Sequence, residues 1–393
     1  MRVLYISSLI FKKASSASIR NVSLINGMIE NGHEVDVLTI KYPDEYQDSY
    51  LVNNLSDDVN VYCSELKILN RYLNNKVKNG DVKKRTNTFD FAKGIIKTLY
   101  FFPDTDKEWI HSYNKDFIER KYDIIISSSD TKTAHFIALE LKKKGKCDKW
   151  YQIWGDPWKD DININKINKF RASRKESFFI KKADKVFYVS LPTTQIMKSK
   201  FMQMSSKINF LGRSYLNKCY GGDIGSQNEW ILTYTGSISR NRNILCLIQK
   251  IQVYNNENSK QIRLRIYGHV YKDILDEINK YSFIDLKGSV DFSNIQNVYQ
   301  NSDVLIFTDN GSNTSQIPGK LYDYFGTDRP ILALVDDINS SVSKFIISTG
   351  RCIIKENRFD KIEFDFLNNL EKKYVVKEFS GSSTARRIFE KNE

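Results

Sequence analysis

Short apolar runs alternate with helical patterns of apolar residues along the whole chain of 393 residues. The apolar, β-branched runs predict strands at 3–6, 35–40, 123–127, 149–153, 185–189, 231–234, 263–267, 284–287, 303–307 and 330–334. Helical spacing fits residues 17–31, 132–144, 165–183 and 192–200, and further helices are expected between the later strands. Strands that alternate with helices favour parallel sheets covered on both faces. The sequence therefore predicts an α/β protein.

The chain is longer than one ordinary hydrophobic core accommodates, so two domains are expected. The connection around residues 211–229 is rich in Gly, Ser and Asn, which is typical of a boundary between domains. We therefore expect domains at 1–212 and 213–375. Residues 376–393 form a C-terminal segment, and a return of this segment to the first domain is one expectation.

Composition excludes several classes of protein. Hydrophobic residues make up 41% of the chain and aromatic residues 13%, which is too much apolar material for a disordered chain. The five cysteines are scattered without a CxxC pair, so neither a zinc site nor a disulfide framework is indicated, and a reduced cytoplasm is the simplest location. No run approaches the roughly 20 apolar residues of a membrane span. The apolar run after Met1 is interpreted as the first strand and not as a signal peptide.

The balance of charge predicts an anionic partner, since 60 basic and 47 acidic residues give a net charge of +13. An apolar, aromatic stretch at 89–102 lies between two basic clusters. Basic residues beside an apolar face are typical of proteins that bind an anionic membrane surface, whereas a core helix flanked by solvated lysines is the alternative. No helix-turn-helix, RNP-like or zinc-finger pattern supports nucleic acid as the partner. The clusters consist of Lys76, Lys78, Lys83, Lys84 and Arg85, and of Lys166, Lys169, Arg171, Arg174, Lys175, Lys181 and Lys182.

The segment 315–334 predicts a loop, a short helix and then a buried strand. Pro318 suits the first position of the helix, because its missing N–H would be unpaired there in any case. Lys320 then lies in the first turn, where the helix dipole disfavours a cation unless an anion shares the site. Asp323 follows one turn later on the same face, where it can accept hydrogen bonds from sugar hydroxyls. The alternative is a solvated Lys–Asp pair on a surface helix.

A second segment, 231–243, predicts a buried strand that ends at Gly236 and a polar loop that carries Arg240 and Arg242. Open parallel sheets bind ligands at the carboxyl ends of their strands. Two separate strand-to-helix turns, one with Arg242 and one with Lys320, would each bring a cation to this edge. Together they indicate a site for a diphosphate.

These motifs resemble a known family. The order GSISRNRN, LRIYGHV, LKGSVDFSNIQNVYQNSDVLIF and IPGKLYDYFGTDRPILAL is similar to the C-terminal half of group 1 (family 4) retaining glycosyltransferases. The N-terminal segments ASIRNVSLINGMIENGHEVDVLTI, PDTDKEW, SSSDTKTAH and WGDPW resemble a bacterial surface-polysaccharide subgroup. Residues near 45–95 and 205–228 are not covered. The resemblance implies the GT-B fold, in which two Rossmann-like domains with parallel sheets face a cleft, the first on the acceptor side and the second binding the nucleotide sugar.

The resemblance assigns the donor site to the second domain. Arg242 and Lys320 hold the diphosphate and Arg240 assists, so no metal or other cofactor is expected. Asp323 binds the ribose hydroxyls, and the loop at 288–292 reads the base through its backbone. Ser315 stands where the family often has a first carboxylate, eight positions before Asp323. The remaining donor contacts are assigned to Gly236, Gly288, Val290, Ile317, Pro318 and Gly319.

The acceptor side is assigned to the first domain. Ser16 and Ser18 stand in a loop where relatives carry glycines, and small residues keep part of the close approach that glycine allows. His135 and Asp156 match family positions near the acceptor and join the two cations in the predicted catalytic set. The alternatives are a packed helix residue for His135 and a turn-forming residue before proline for Asp156. The other acceptor-side residues are Arg20, Trp109 and, in a second role, Asp156.

The predicted function is transfer of a sugar, with retention of its anomeric configuration, from a UDP- or GDP-linked donor to a saccharide acceptor. The favoured acceptor is a lipid-linked oligosaccharide in O-antigen or capsule synthesis. In the family that the chain resembles, retention is attributed to front-face attack with the leaving phosphate as base, so the carboxylate pair of many glycosidases is not expected. The protein is expected in the cytoplasm, at the inner face of the membrane. A non-catalytic sugar-binding or scaffold subunit is one alternative. A nucleotide-sugar epimerase is another, but it needs proton-transfer groups, and the chain has only the histidines His33, His111, His135 and His269.

Overall fold

The computed structural model describes residues 1–79, 100–116, 119–129, 131–160, 164, 166–239, 242–311 and 315–390. Contacts divide the chain into two units, one formed by Met1–Gly212 with Gly381–Glu393 and the other by Arg213–Ser380. The second unit therefore extends to Ser380 and not only to residue 375, and the segment grouped with the first unit begins at Gly381.

The first unit is built on one parallel sheet of seven strands in the order β3-β2-β1-β4-β5-β6-β7. The strands are β1 (Arg2–Ile6), β2 (Glu34–Lys41), β3 (Asn60–Glu65), β4 (Tyr122–Ser129), β5 (Cys147–Trp154), β6 (Lys185–Tyr188) and β7 (Ile208–Phe210). The helices of this unit are α1 (Ser16–Glu30), α2 (Ser49–Asn53), α3 (Lys67–Asn79), α4 (Trp109–Ser112), α5 (Thr133–Lys143), α6 (Lys166–Lys182), α7 (Leu191–Lys200) and α13 (Gly381–Phe389).

The second unit has a parallel sheet of six strands in the order β10-β9-β8-β11-β12-β13. The strands are β8 (Trp230–Thr235), β9 (Ile262–Tyr267), β10 (Ile284–Gly288), β11 (Val304–Thr308), β12 (Ile331–Val335) and β13 (Cys352–Glu356). The helices are α8 (Leu245–Glu257), α9 (Lys272–Ile278), α10 (Ile295–Gln300), α11 (Lys320–Phe325) and α12 (Ser341–Ser348). Short 3-10 turns lie at Asp44–Tyr46, Met202–Lys207, Phe292–Asn294, Asp365–Asn369 and Lys377–Phe379.

Apolar residues on both faces of the central strands explain these sheets. In β11 and β12 every residue is buried, as expected for parallel strands covered by helices on both sides. Helix α1 begins where the Ser15 hydroxyl accepts a hydrogen bond from the Ser18 amide at 3.3 Å, a side-chain cap that satisfies one of the free N–H groups of the first turn. In the first unit α1 also crosses α13 closely, because a Cβ on Gly27 would lie 2.1 Å from the backbone carbonyl carbon of Gly381.

The order of the strands locates the edge at which each sheet can bind a ligand. In each sheet the second and third strands along the chain lie on one side of the first strand, and the later strands lie on its other side. This reversal creates a switch point, between β1 and β4 in the first unit and between β8 and β11 in the second. Open α/β sheets bind ligands at the carboxyl ends of the strands that flank such a point. The predicted α/β class with two Rossmann-like domains is confirmed.

Among the described residues, none of the helices has both the length and the apolar character that crossing a lipid bilayer requires.

Candidate functional site

The carboxyl end of β8 carries the first cation of the candidate site. Lys320, the first residue of α11, donates a hydrogen bond from Nζ to the Thr235 carbonyl oxygen at 3.2 Å. The same Nζ lies 3.7 Å from the ring centroid of Tyr234, a favourable cation–π geometry. A Cβ on Gly236 would lie 3.8 Å from Nζ, so the turn after β8 leaves space beside the ammonium group. The cation is thereby fixed over the end of a central strand.

The second cation reaches the same edge from the loop after β8. Arg242 donates from Nε to the Asn310 side-chain oxygen at 2.6 Å, and Asn310 lies just beyond the end of β11. Because β8 and β11 are neighbours, this hydrogen bond places Arg242 at the switch point of the second sheet. Sequence reasoning missed Asn310, since the contact spans 68 positions in the sequence.

The pKa values at this edge indicate an excess of positive charge. Burial lowers the pKa of Lys320 and the charge of Arg242 lowers it further, while Tyr234 opposes both. Burial alone would raise the pKa of Tyr234, but the nearby charges of Lys320 and Arg242 and its hydrogen bonds give a net lowering. Two cations that repel each other in a partly buried place favour an anion between them.

Tyr324 explains why α11 holds its position. Its hydroxyl lies 2.8 Å from the Thr235 hydroxyl, accepts from the Thr235 amide at 3.3 Å and donates to the Ile306 carbonyl at 3.3 Å. These bonds join the helix to the ends of both β8 and β11. Tyr324 is fully buried and packs edge-on against Tyr299, with centroids 5.4 Å apart. The helix that carries Lys320 is therefore anchored by a residue that the sequence did not single out.

Three glycines bring the ends of β8, β9 and β10 into direct backbone contact. The Gly236 amide donates to the Tyr267 carbonyl at 2.7 Å, and the Gly268 amide donates to the Gly288 carbonyl at 2.8 Å. Gly268 has φ +144, and a Cβ there would lie 2.1 Å from the Gly236 carbonyl oxygen. Gly288 also has positive φ, and Val290, two residues beyond it, is half-buried. Gly236, Gly288 and Val290 were predicted, whereas the close approach that requires Gly268 was not.

Asp323 lies on α11 and is partly exposed. Burial raises its pKa to about 7, although the positive charge of Arg213 opposes the shift. A carboxyl group with such a pKa changes its charge near neutral pH. Sequence reasoning missed Arg213, because it lies far from the motif that contains Asp323.

The loop before α11 is placed slightly differently from the prediction. The helix begins at Lys320 with Gly319 as its N-cap in helical conformation, so Pro318 precedes the helix instead of occupying its first position. Ile317 is buried, and Ser315 is partly exposed. Arg240, the assisting cation of the prediction, lies outside the described residues.

The switch point of the first unit holds a buried polar network. Asn21 accepts from the hydroxyls of Tyr5 at 2.8 Å and Ser128 at 2.9 Å, and it donates to the Ser7 hydroxyl at 3.1 Å. Arg20 is only 1% exposed and donates from Nη2 to the Ser128 hydroxyl at 3.1 Å. Arg20 therefore supports the carboxyl ends of β1 and β4 from inside, and its predicted contact with the acceptor stays a prediction.

Two other predicted acceptor-side residues lie in the core. His135 is fully buried, with Nδ1 2.7 Å from the Ser127 hydroxyl and its ring centroid 4.4 Å from that of Trp154. Trp109 is also fully buried, and its Nε1 donates to the Ser64 hydroxyl at 3.1 Å. Neither side chain has a surface that a substrate could contact in this structure. The structure thus places both residues in the core, and their acceptor-side assignment stays a prediction.

We expect His135 to make a contribution to stability that is lost as pH falls. Burial, and secondly the charge of Lys132, lowers its pKa well below the ordinary 6.5. At this residue the unfolded chain therefore binds an extra proton below pH 6.5, so the contribution of His135 to the free energy of unfolding should fall by about 1 kcal/mol per pH unit below that value. Urea unfolding followed by tryptophan fluorescence, compared between wild type and His135→Gln, isolates this contribution. A His135→Gln protein that keeps the wild-type pH dependence but loses turnover would instead make His135 catalytic.

The remaining acceptor-side residues are closer to the surface. Asp156 is partly exposed and follows Gly155, whose amide donates to the Ser129 carbonyl at 3.1 Å. Asp156 therefore lies at the carboxyl ends of β4 and β5. Ser16 is exposed in the first turn of α1, whereas Ser18 is fully buried. Of the predicted acceptor-side set, Asp156 and Ser16 are the residues that present surface.

A pair of carboxyl groups near the end of β4 was not assigned from the sequence, although the DTD motif contains it. Thr133 donates to Asp104 from its amide at 2.9 Å and from its hydroxyl at 2.7 Å. Burial, and then the charge of Asp106, raises the pKa of Asp104 to about 6. Burial also raises the pKa of Asp106, against the effect of hydrogen bonds and of Lys12. The pair therefore provides a carboxyl group that can take up a proton near the end of β4.

Within the described part of the chain, no group of three or more His, Cys, Asp or Glu residues is arranged to hold a metal ion. All five cysteines are free.

No protein-family model and no curated protein matches the sequence. Among solved structures, a putative UDP-N-acetylglucosamine 2-epimerase from Listeria monocytogenes is similar over 99% of this chain and 94% of its own, with 14% identity and a TM-score of 0.57. A TarM mutant from S. aureus in complex with Fondaparinux, alpha-GlcNAc-glycerol and UDP is similar over 98% of this chain and 95% of its own, with 11% identity and a TM-score of 0.56.

The catalytic domain of Starch Synthase IV from Arabidopsis thaliana, bound to ADP and acarbose, is similar over 99% of this chain and 97% of its own. Its identity is 12% and its TM-score 0.56. At such identities the likeness shows the fold alone. The chain is a two-unit α/β protein with Rossmann-like parallel sheets, of the GT-B fold class.

Proposed function

We propose that this chain is a glycosyltransferase that takes a sugar from a nucleoside-diphosphate donor bound to its second unit. The observation that carries the proposal is the pair of cations at one switch point, Lys320 over the end of β8 and Arg242 held by Asn310 beyond β11. Open α/β sheets bind their ligands at the carboxyl ends of the strands that flank the switch point. The diphosphate of a nucleotide-sugar donor is the group that needs two cations at that edge. The resemblance of the surrounding motifs to retaining glycosyltransferases agrees with this assignment.

The geometry supports a simple account of the reaction. As the bond from the anomeric carbon to the diphosphate breaks, negative charge develops on the leaving phosphate oxygen. Cations that are already fixed by hydrogen bonds, as Lys320 and Arg242 are, stabilise that charge without reorganisation. The acceptor hydroxyl attacks from the same face, and the leaving phosphate oxygen takes its proton, so the configuration at the anomeric carbon is retained.

We further propose that Asp323 binds the ribose hydroxyls through its ionised carboxylate. Because its pKa is raised to about 7, the ionised form is lost as pH falls through that value. The affinity for the nucleoside diphosphate should then decrease below pH 7, at most tenfold per pH unit. Calorimetric titration between pH 5.5 and 8 tests this, with Asp323→Asn as the comparison. Titration of the phosphate and of Lys320 persists in Asp323→Asn, so equal pH dependence of the two proteins would remove Asp323 from the site.

We propose that the acceptor is a saccharide, and a lipid-linked oligosaccharide of O-antigen or capsule synthesis is the favoured one. The support is the resemblance of the N-terminal motifs and the net charge of +13, which suits work beside anionic lipid. Asp156 and Ser16 are the predicted acceptor-side residues with accessible surface.

Binding of UDP, GDP, CMP and ADP to the purified protein, measured by calorimetry, tests the donor site. Selective binding of one nucleoside diphosphate is the expected result, and UDP is the first choice because TarM was solved with it. Failure of all four to bind would favour the second candidate, a non-catalytic sugar-binding or scaffold subunit. The observation that favours this candidate is Ser315, which replaces a donor-side carboxylate of the family.

A further inference from the structure

Helix α6 of the first unit is strongly basic. The helix contains seven basic residues and a single acidic one, Glu176. Its inward face buries Ala172, Glu176, Phe179 and Ile180 at helical spacing. The opposite face, which we call the α6 face, carries Ile167, Phe170, Arg171, Arg174, Lys175 and Phe178.

The apolar members of the α6 face are unusually exposed. Phe170 is 67% exposed, Ile167 47% and Phe178 38%. Phe170 and Phe178 lie eight positions apart on the same helix and so project on the same side. Large apolar side chains grouped on one exposed face mark a surface that contacts a partner.

The same face contains a cavity with aromatic walls and a basic rim. The open cavity has a volume of about 490 Å³ and is lined by Phe102, Phe170, Arg171, Arg174, Lys175 and Phe178. The Arg171 guanidinium lies 3.9 Å from the ring centroid of Phe102, which itself stacks on Trp158 at 5.2 Å. The inner wall is thus fixed to the core of the unit through stacked rings.

Acidic side chains of the described residues do not pair with the cations of the α6 face. Glu176 faces inward, where it accepts from the Trp158 amide at 2.6 Å and pairs with Lys200 at 3.1 Å. Among the described residues, no carboxylate forms an ion pair with Arg171, Arg174 or Lys175. Three cations, none of them in an ion pair with a described carboxylate, and two exposed phenylalanines therefore occupy one helix face.

We propose that the α6 face binds the surface of an anionic phospholipid bilayer. The helix lies in the plane of the membrane, Phe170 and Phe178 enter the boundary between headgroups and acyl chains, and the three cations contact lipid phosphates. This arrangement of apolar wedges flanked by basic side chains is what an interfacial helix needs. A nucleic-acid duplex would use the charges but would leave the 67% exposed Phe170 without an apolar environment. The proposal does not depend on the donor site, since the α6 face belongs to the first unit alone.

Cosedimentation of the full chain with lipid vesicles tests the proposal. We expect binding to vesicles that contain about one third phosphatidylglycerol, weak binding to phosphatidylcholine alone, and a decrease as salt is raised. The triple variant Arg171→Gln, Arg174→Gln, Lys175→Gln should bind roughly a hundredfold more weakly, since each cation near the surface contributes about fivefold. Phe170→Ser with Phe178→Ser should weaken binding at least about tenfold through loss of apolar contact.

Matched controls distinguish the face from charge or apolarity in general. Lys143→Gln, Lys149→Gln, Lys198→Gln removes three exposed charges from other elements of the first unit. Phe359→Ser removes a phenylalanine that is 45% exposed in the second unit and lies near Lys250. Both controls should bind the anionic vesicles as wild type does, and thermal unfolding confirms that every variant is folded.

Several results would overturn the proposal. Equal losses of vesicle binding in the α6 variants and in the controls would show that binding depends on the net charge of the protein and not on the α6 face. Equal binding to neutral and anionic vesicles, or no binding to either, would remove the membrane as partner. Displacement by soluble glycerol phosphate at the same phosphate concentration would show an anion site instead of a bilayer surface. Preference for RNA over the vesicles would assign the face to nucleic acid.

Discussion

Replacing Lys320 with alanine should weaken the binding of the nucleoside diphosphate by about ten- to a hundredfold. The Lys320 ammonium is fixed by the Thr235 carbonyl at 3.2 Å and by the Tyr234 ring, so its contact with a phosphate requires little reordering. Loss of one charge-assisted hydrogen bond to phosphate costs roughly 1.5–3 kcal/mol. Calorimetric titration of wild type and variant with the preferred diphosphate measures the effect.

The matched control is Lys344→Ala, which removes the same charge from an exposed position on α12 of the second unit. It should leave the affinity unchanged. Arg242→Ala should weaken binding to a similar degree as Lys320→Ala, and the double variant should lose less than the product because both cations act on one diphosphate. An unchanged affinity in Lys320→Ala, with binding intact in wild type, would show that the diphosphate lies elsewhere.

Gly268→Ala should disrupt the second unit at the same edge. The new Cβ would lie 2.1 Å from the Gly236 carbonyl oxygen, and φ +144 is a backbone conformation that alanine rarely adopts. Strain and overpacking together should destabilise the unit by about 2–5 kcal/mol. Displacement of Gly236 also moves the end of β8 on which Lys320 rests, so the affinity for the diphosphate should fall at least about tenfold. Hydrogen exchange of the β8 and β9 amides and calorimetry measure the two effects.

Gly145→Ala separates backbone strain from the clash. Gly145 also has positive φ, +71, but a Cβ there would meet nothing within 4 Å. It should cost only about 1 kcal/mol and leave diphosphate binding intact. Wild-type exchange and affinity in Gly268→Ala would show that the strand ends are not held together by this backbone contact.

Periodicity was sufficient to predict ten of the thirteen described strands, since runs such as β11 and β12 are apolar throughout and β9 alternates apolar with polar residues. It missed three strands: β3, β7 and β13. In β3 exposed and half-buried residues dominate, all of β13 is half-buried, and β7 has three residues. Edge and short strands have one covered side or too few residues for a pattern, so their place depends on neighbours distant in sequence. The predicted helix at 165–183 was close to the observed α6.

The candidate donor site was predictable where a local motif carries the chemistry. Lys320 follows a proline–glycine turn and Arg242 follows a strand and a glycine, and the structure brings both to one sheet edge. Asn310, Tyr324 and Gly268 were not predicted, because each acts on a residue that is close in space and distant in sequence.

The assignments of His135, Trp109 and Arg20 show where a local motif is not sufficient to predict a site residue. Polar and aromatic residues near the ends of strands match a site motif and a satisfied core position equally well. The structure places all three side chains inside the first unit with hydrogen-bonded partners, a placement that could not be read from the local sequence.

Phosphorus and proton NMR of the protein with its preferred UDP- or GDP-linked sugars and a lipid-linked acceptor tests the central claim most directly. The account predicts release of the nucleoside diphosphate, transfer of the sugar with retained anomeric configuration, and loss of both signals in Lys320→Ala. A donor that is bound but never cleaved would contradict transfer and support a sugar-binding subunit. A donor whose sugar changes configuration while the diphosphate stays attached would contradict it in favour of an epimerase.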